Sequence, residues 1–189
     1  MKKWTLVFFL FVFLLSSNSK AQNPVSFFAE YIDFILDSQY FSINGIYSFR
    51  NNSGKIVNQQ ILFPFAVKTT LIDTIRVTDL NSQQMLNFIV MDSAILFTLK
   101  ILPKDSTDIN IFYRQKSSAK NTYIITTTQM WGQPLEKAIY TLTTQKDLAI
   151  NSFSYNPDSM KISDSNKKIY LWKKYHFSPQ LNFDILMKK

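Results

Sequence analysis

Period-two alternation of apolar and polar residues runs along most of the chain, which is the pattern of strands with one buried face. Phe28, Glu30, Ile32, Phe34 and Leu36 share one face of a first predicted strand. Phe41, Ile43, Gly45, Tyr47 and Phe49 share one face of the next. Gly45 in mid-pattern predicts a bulge or a close backbone approach. Asn51-Asn52-Ser53-Gly54 is a turn signal. A strand follows with Val57, Gln59, Ile61, Phe63 and Phe65 on one side and Pro64 near its end. Leu71 to Thr78 and Gln84 to Val90 read as strands around a turn at Asp79–Ser82. Ile95, Phe97, Leu99 and Ile101 alternate with Leu96, Thr98 and Lys100, and Ile109, Ile111 and Tyr113 alternate again after Pro103-Lys104-Asp105-Ser106. That pair is predicted to be a hairpin. Tyr123–Thr127, Ala138–Leu142, Leu148–Tyr155, Lys168–Phe177 and Leu181–Met187 complete the set. About ten strands at this spacing predict an all-β fold, an antiparallel β-sandwich of immunoglobulin-like or related type.

Leu135 to Leu142 also fits a helical period, with Pro134 before it and Leu135, Ala138, Ile139 and Leu142 on one face. The strand reading is preferred, because Ile-Tyr-Thr-Leu-Thr-Thr is β-branched and aromatic. No internal repeat and no long linker divides the chain.

The first residues follow a different pattern. Met1-Lys2-Lys3 is a short basic segment, Trp4 to Leu15 is apolar apart from Thr5, and Ser19 and Ala21 are small. This is the layout of a signal peptide over residues 1–21, cleaved after Ala21. A spanning helix needs about 20 apolar residues, and this run is shorter. No cysteine follows it to carry a lipid. The expected mature part, residues 22–189, is read as one β-sandwich domain.

Removal of residues 1–21 takes Lys2, Lys3 and Lys20 with it, so the charge falls from +8 to +5. That is mildly basic, and the basic residues are scattered rather than clustered, which argues against nucleic acid as a partner. The absence of cysteine leaves packing alone to hold an exported domain together and leans towards a bacterial envelope: periplasm, cell surface or extracellular space.

Catalytic motifs are sparse. His176 is the single histidine, and no Gly-x-Ser-x-Gly elbow presents a nucleophile. One histidine without cysteine argues against zinc, so no metal and no cofactor are expected. Glu30, Asp33 and Asp37 are the carboxylates that could support glycoside hydrolysis. On a strand Asp33 and Asp37 share a face and Glu30 takes the other, and solvation of an edge strand is the preferred explanation for all three. Asp105 and Asp108 suit turn formation better than calcium binding. The candidate binding surface is Tyr170, Trp172, Lys174 and His176, which share one face of a strand whose other face carries Ile169 and Leu171. Were the Ile169/Leu171 face the core, an exposed aromatic pair beside a base could stack on a sugar or anchor a protein. Trp131, ahead of a Gly132-Gln133-Pro134 turn, is expected to plug one end of the fold.

Asp73-Thr74-Ile75, Asp92-Ser93-Ala94, Asp105-Ser106-Thr107 and Asp158-Ser159-Met160 resemble the O-glycosylation sequon of some Gram-negative bacteria. Tyr123-Ile-Ile-Thr-Thr-Thr-Gln-Met-Trp131-Gly132-Gln-Pro134, Ser152-Phe-Ser-Tyr155-Asn-Pro-Asp158 and Ile169-Tyr-Leu-Trp172-Lys-Lys-Tyr-His176-Phe177 together resemble uncharacterised exported bacterial proteins with a predicted β-sandwich. The resemblance is strongest over residues 121–180. It implies export and a sandwich, and it carries no activity or catalytic residue.

The expected function is an exported, envelope-associated binding or structural domain whose partner is an envelope protein or a glycan, without catalysis. A secreted hydrolase of envelope or extracellular carbohydrate and a small outer-membrane β-barrel are the alternatives.

Overall fold

The computed structural model describes residues 23–188, and the expected signal peptide lies outside the described residues. Fourteen strands form in chain order: β1 (Val25–Leu36), β2 (Tyr40–Asn51), β3 (Val57–Pro64), β4 (Ile72–Asp79), β5 (Gln84–Met85), β6 (Ile89–Val90), β7 (Ala94–Ile101), β8 (Ser106–Lys116), β9 (Lys120–Tyr123), β10 (Leu135–Gln145), β11 (Ile150–Phe153), β12 (Ser159–Ile162), β13 (Lys167–Phe177) and β14 (Phe183–Met187). The all-β reading holds, and the preference for strand over helix at Leu135–Leu142 holds with it. The expected count of about ten is corrected to fourteen, because short edge pairs such as β5 and β6 carry too few residues to show a period.

Eight strands build one large sheet in the order β12-β13-β10-β1-β2-β8-β4-β5. It is open, with β12 and β5 at its ends, so it does not close into the barrel considered as an alternative. The β1–β10 pair is parallel and the other neighbours run antiparallel. Two three-stranded sheets, β3-β7-β6 and β11-β14-β9, complete the fold. The first packs Phe63 against Tyr47 and Tyr113 of the large sheet. The second packs Phe183 against Phe34 and Trp172. Both small sheets thus cover the same face of the large one, and the core of buried apolar side chains lies between.

The predicted β7–β8 hairpin does not form. β7 pairs with β3 and β6, whereas β8 pairs with β2 and β4. The chain therefore crosses from one sheet to the other at Pro103–Asp105. Asn51 holds the crossing. Its buried side-chain amide donates to the carbonyls of Lys55 (2.7 Å), Ile101 (3.2 Å) and Leu102 (2.9 Å), and its Oδ1 accepts from the Ser53 N–H (2.9 Å). Its own N–H donates to the Asp105 carbonyl at 2.8 Å. Alternation in both strands is real, but it reports a common core, and two strands can share a core from opposite layers. Asn51→Ala removes the side-chain donor that ties these three carbonyls together and is expected to cost about 2–3 kcal/mol, read as a lower urea midpoint with unchanged slope.

β1 carries a bulge. Phe27 pairs with Phe49 and Ala29 with Ser48, so Phe28 is the extra residue. The bulge turns Phe28 outward, where the Arg50 guanidinium lies 4.1 Å from its ring centre. It leaves Val25, Phe27, Glu30, Ile32, Phe34 and Leu36 buried. Phe28 therefore does not share a face with Glu30, and Glu30 sits in mid-sheet between β2 and β10 rather than on an edge strand.

Candidate functional site

Glu30 is the buried acidic side chain of the core, 1% exposed, on the face crowded by aromatic residues. Three tyrosines from three strands surround it. Tyr140 of β10 donates its hydroxyl to Glu30 Oε1, and Tyr123 of β9 donates to Oε2 at 3.2 Å. Tyr47 of β2 lies 3.0 Å from the Tyr123 hydroxyl. With the Tyr123 proton committed to Glu30, the Tyr47 hydroxyl donates to Tyr123, which makes a directed chain ending on the carboxyl. Gly45 makes room for it: a Cβ there would lie 2.5 Å from the Tyr47 hydroxyl and 2.7 Å from Ile32 Cδ1. What comes close at Gly45 is side chain, the Tyr47 ring and Ile32 Cδ1, rather than the bulge or backbone approach that the pattern predicts.

Burial pushes the Glu30 carboxyl from its usual 4.5 up to about 7, while the hydrogen bonds from Tyr140 and Tyr123 pull the other way. Burial, reinforced by the Glu30 charge, pushes all three tyrosine hydroxyls upward, so they remain donors. No Lys or Arg pairs with Glu30 among the described ion pairs, all of which are formed by other carboxylates. An ionised carboxylate offers about four acceptor positions, and the tyrosines fill two of them.

Glu30 is among the residues lining a cleft of about 330 Å³. One wall is β3, from Gln59 to Pro64, and the other is the segment from Thr127 to Trp131. Phe27, Phe49 and Tyr47 form the floor beside Glu30. The Thr126–Trp131 segment is a 3-10 turn closed by Gly132 at φ 72°. Trp131 packs on Phe27 and Phe49 at 6.1 and 5.5 Å between ring centres. The expected plugging role is met in part, since Trp131 is half-buried and also walls the cleft.

The four residues proposed from sequence lie elsewhere, on β13, and are not gathered into one exposed patch. Trp172 is 0% exposed; its indole N–H donates to the Tyr155 carbonyl at 2.9 Å. Tyr170 is half-buried against Phe153. Lys174 pairs with Asp158 at 2.9 Å, and His176 is exposed with φ 48°. The condition for an outward-facing Trp172, an inner Ile169/Leu171 face, is not met: the β11-β14-β9 sheet covers the Tyr170/Trp172 face, with Phe153 and Phe183 against the indole. Asp33 lies on the face opposite Glu30, as alternation predicts, and accepts from the Thr141 hydroxyl. Asp37 accepts from the N–H groups of Gln39 and Tyr40 in the β1–β2 turn, both at 2.7 Å. Among the described residues no group of three or more His, Cys, Asp or Glu converges as a metal site would require. Of the four sequon-like hydroxyls, Ser93, Ser106 and Ser159 are exposed and Thr74 is half-buried.

Sequence reasoning noted Glu30 and passed over the cleft. The available signal was one carboxylate in phase with Ile32, Phe34 and Leu36, an apolar face that burial would complete.

No family model and no curated protein matches the chain. Solved structures do match in shape. A candidate nutrient-binding protein from Legionella pneumophila superposes with a TM-score of 0.70 at 15% identity, over 88% of this chain and 67% of that one. A mutant M1 zinc metallopeptidase from Deinococcus radiodurans superposes with a TM-score of 0.52 at 9% identity, over 87% of this chain and 43% of its own length. The same enzyme bound to a Tyr-Ser-Ala substrate gives 0.52 at 8% identity. The chain spans less than half of the metallopeptidase. At these identities what is shared is the fold.

Proposed function

We propose that this chain is an exported, sandwich-type binding domain whose ligand enters the cleft over Glu30 and presents a cationic group, such as a protonated amine, to that carboxyl. The observation that carries this reading is the buried carboxyl without a cationic partner among the described residues: a buried charge needs a partner, and every described ion pair is formed by another carboxylate. The aromatic lining adds to it, since Phe27, Phe49 and Trp131 border the cleft and aromatic rings attract a cation. Tyr123 and Tyr140 would hold the carboxylate in place while the ligand takes its remaining acceptor positions. A binding role also fits the nutrient-binding description of the Legionella neighbour. No helix among the described residues is long and apolar enough to cross a membrane, and the envelope as the place of action rests on the leader-like residues 1–21.

Phenethylamine is a minimal probe, with one ring and one ammonium. Calorimetry should show binding that strengthens about tenfold from pH 6 to pH 8, because ionisation of Glu30 near pH 7 is completed across that range. Phenethyl alcohol, uncharged and nearly the same shape, should bind more weakly and without this pH dependence. Equal affinity for the two, or an amine affinity flat between pH 6 and 8, contradicts the reading.

A further inference from the structure

β3 is an edge strand along its whole length: its eight residues pair with β7 on one side and with no strand on the other among the described residues. The other sheet ends, β5, β6, β9, β11 and β12, are four residues or fewer. The direction of its free groups follows from the ladder. Pro64 pairs with Ala94, and just beyond it the Phe65 N–H donates to the Ser93 carbonyl at 2.8 Å. In an antiparallel pair, residues alternate between bonding the partner and facing away from it. Phe63, Ile61 and Gln59 therefore bond β7, whereas Asn58, Gln60 and Leu62 turn N–H and C=O outward. Pro64 falls in the outward set, where its missing N–H breaks no ladder bond. The Gln60 carbonyl is met only by the neighbouring Gln59 side-chain amide, at 3.0 Å.

This open edge is also the wall of the cleft that holds Glu30. We propose that the ligand is an extended polypeptide that adds to β3 as a fourth strand of the β3-β7-β6 sheet. The inference rests on the cleft being the binding site. Only a strand-like backbone supplies acceptors and donors at the two-residue repeat that Asn58, Gln60 and Leu62 present. Alternate side chains would enter the cleft, and a basic one, or the chain's amino terminus, would reach Glu30. The intervening ones would lie over Leu62, which is 58% exposed. A second copy of this chain fits less well: about 330 Å³ beside the edge admits a few side chains, not the face of another folded sheet.

The test is amide exchange on the 15N-labelled protein with an equimolar pool of random nonapeptides, and separately with phenethylamine. The expected result is exchange slowed at least tenfold at Asn58, Gln60 and Leu62 by the peptides, with Gln59 and Ile61 unchanged. The same pool N-methylated at every residue, and so without backbone donors on either edge, should give no slowing. If phenethylamine binds and the peptides leave those three amides unprotected, the polypeptide inference falls and the cation reading stands. If the peptides protect the edge and phenethylamine does not bind, the cation reading falls and the polypeptide site stands. Protection of the same amides by concentration alone, with a dimer in light scattering, would also overturn the proposal.

Discussion

Trp172→Ala is expected to cost about 3–5 kcal/mol of stability. Trp172 is among the largest fully buried side chains, with Phe183 and Phe153 packed edge-on at 4.9 and 5.3 Å. Truncation empties the space between β13 and the β11-β14-β9 sheet and also strips the Tyr155 carbonyl of its indole donor. For a chain of this size the melting temperature should fall by about 10–15 °C. Trp172→Phe keeps a ring in the pocket and should lose less than half as much. Tyr175→Ala, on the same strand but 62% exposed, should change stability by about 0.5 kcal/mol or less. A Trp172→Ala protein as stable as the parent would mean that the indole is not enclosed.

The second large effect is a dependence of stability on pH that Glu30→Gln should abolish. The folded carboxyl titrates at about 7 against the usual 4.5, so folding favours its protonated form. Below pH 4.5 both folded and unfolded chains carry the proton and no penalty appears. Between 4.5 and 7 the unfolded chain releases it first, and stability declines as pH rises. Above pH 7 the loss is complete, on the order of 3 kcal/mol. Glu30→Gln is uncharged throughout and still offers an oxygen to the tyrosine hydroxyls. Near pH 4.5 the variant and the parent should melt together; at pH 8 the variant should melt higher by about 5–10 °C. A charge whose removal stabilises the protein at alkaline pH is one the fold does not need, which is what the proposed cation-binding role of Glu30 requires.

Much of the fold was legible from residue spacing, because a half-buried strand must alternate. Most predicted strand segments from Phe28 to Met187 fall on an observed strand, but Tyr123–Thr127 leaves the strand at Tyr123 and enters a 3-10 turn, and Gln84–Val90 divides into two short strands of different sheets. Pairing was less legible. Ile95–Ile101 and Ile109–Tyr113 read as a hairpin, whereas their strands pair in different sheets and the side-chain amide of Asn51 holds the Ile101 and Leu102 carbonyls at the crossing. The sign of a face was illegible where both faces are apolar. Along β13, Tyr170/Trp172 and Ile169/Leu171 are equally plausible inner faces, and the choice is made by Phe153 of β11 and Phe183 of β14, whose placement over this face the alternation along β13 does not reveal. The cleft was hidden for the same reason. Glu30, Tyr47, Tyr123 and Tyr140 come from four strands, two of which meet through a parallel pairing that local sequence does not announce. The bulge at Phe28 also placed the wrong phenylalanine beside Glu30.

The most direct test of the cleft as a ligand site is the carboxyl carbon of Glu30 followed by NMR through a pH titration, alone and with saturating phenethylamine. Alone it should titrate near 7, and with the amine bound it should move down towards the ordinary carboxylate range, since a cation in contact favours the ionised form. Titration near 4.5 in the free protein, or a midpoint that bound amine leaves unmoved, would contradict the proposal that Glu30 is the buried carboxyl that takes a cation in the cleft.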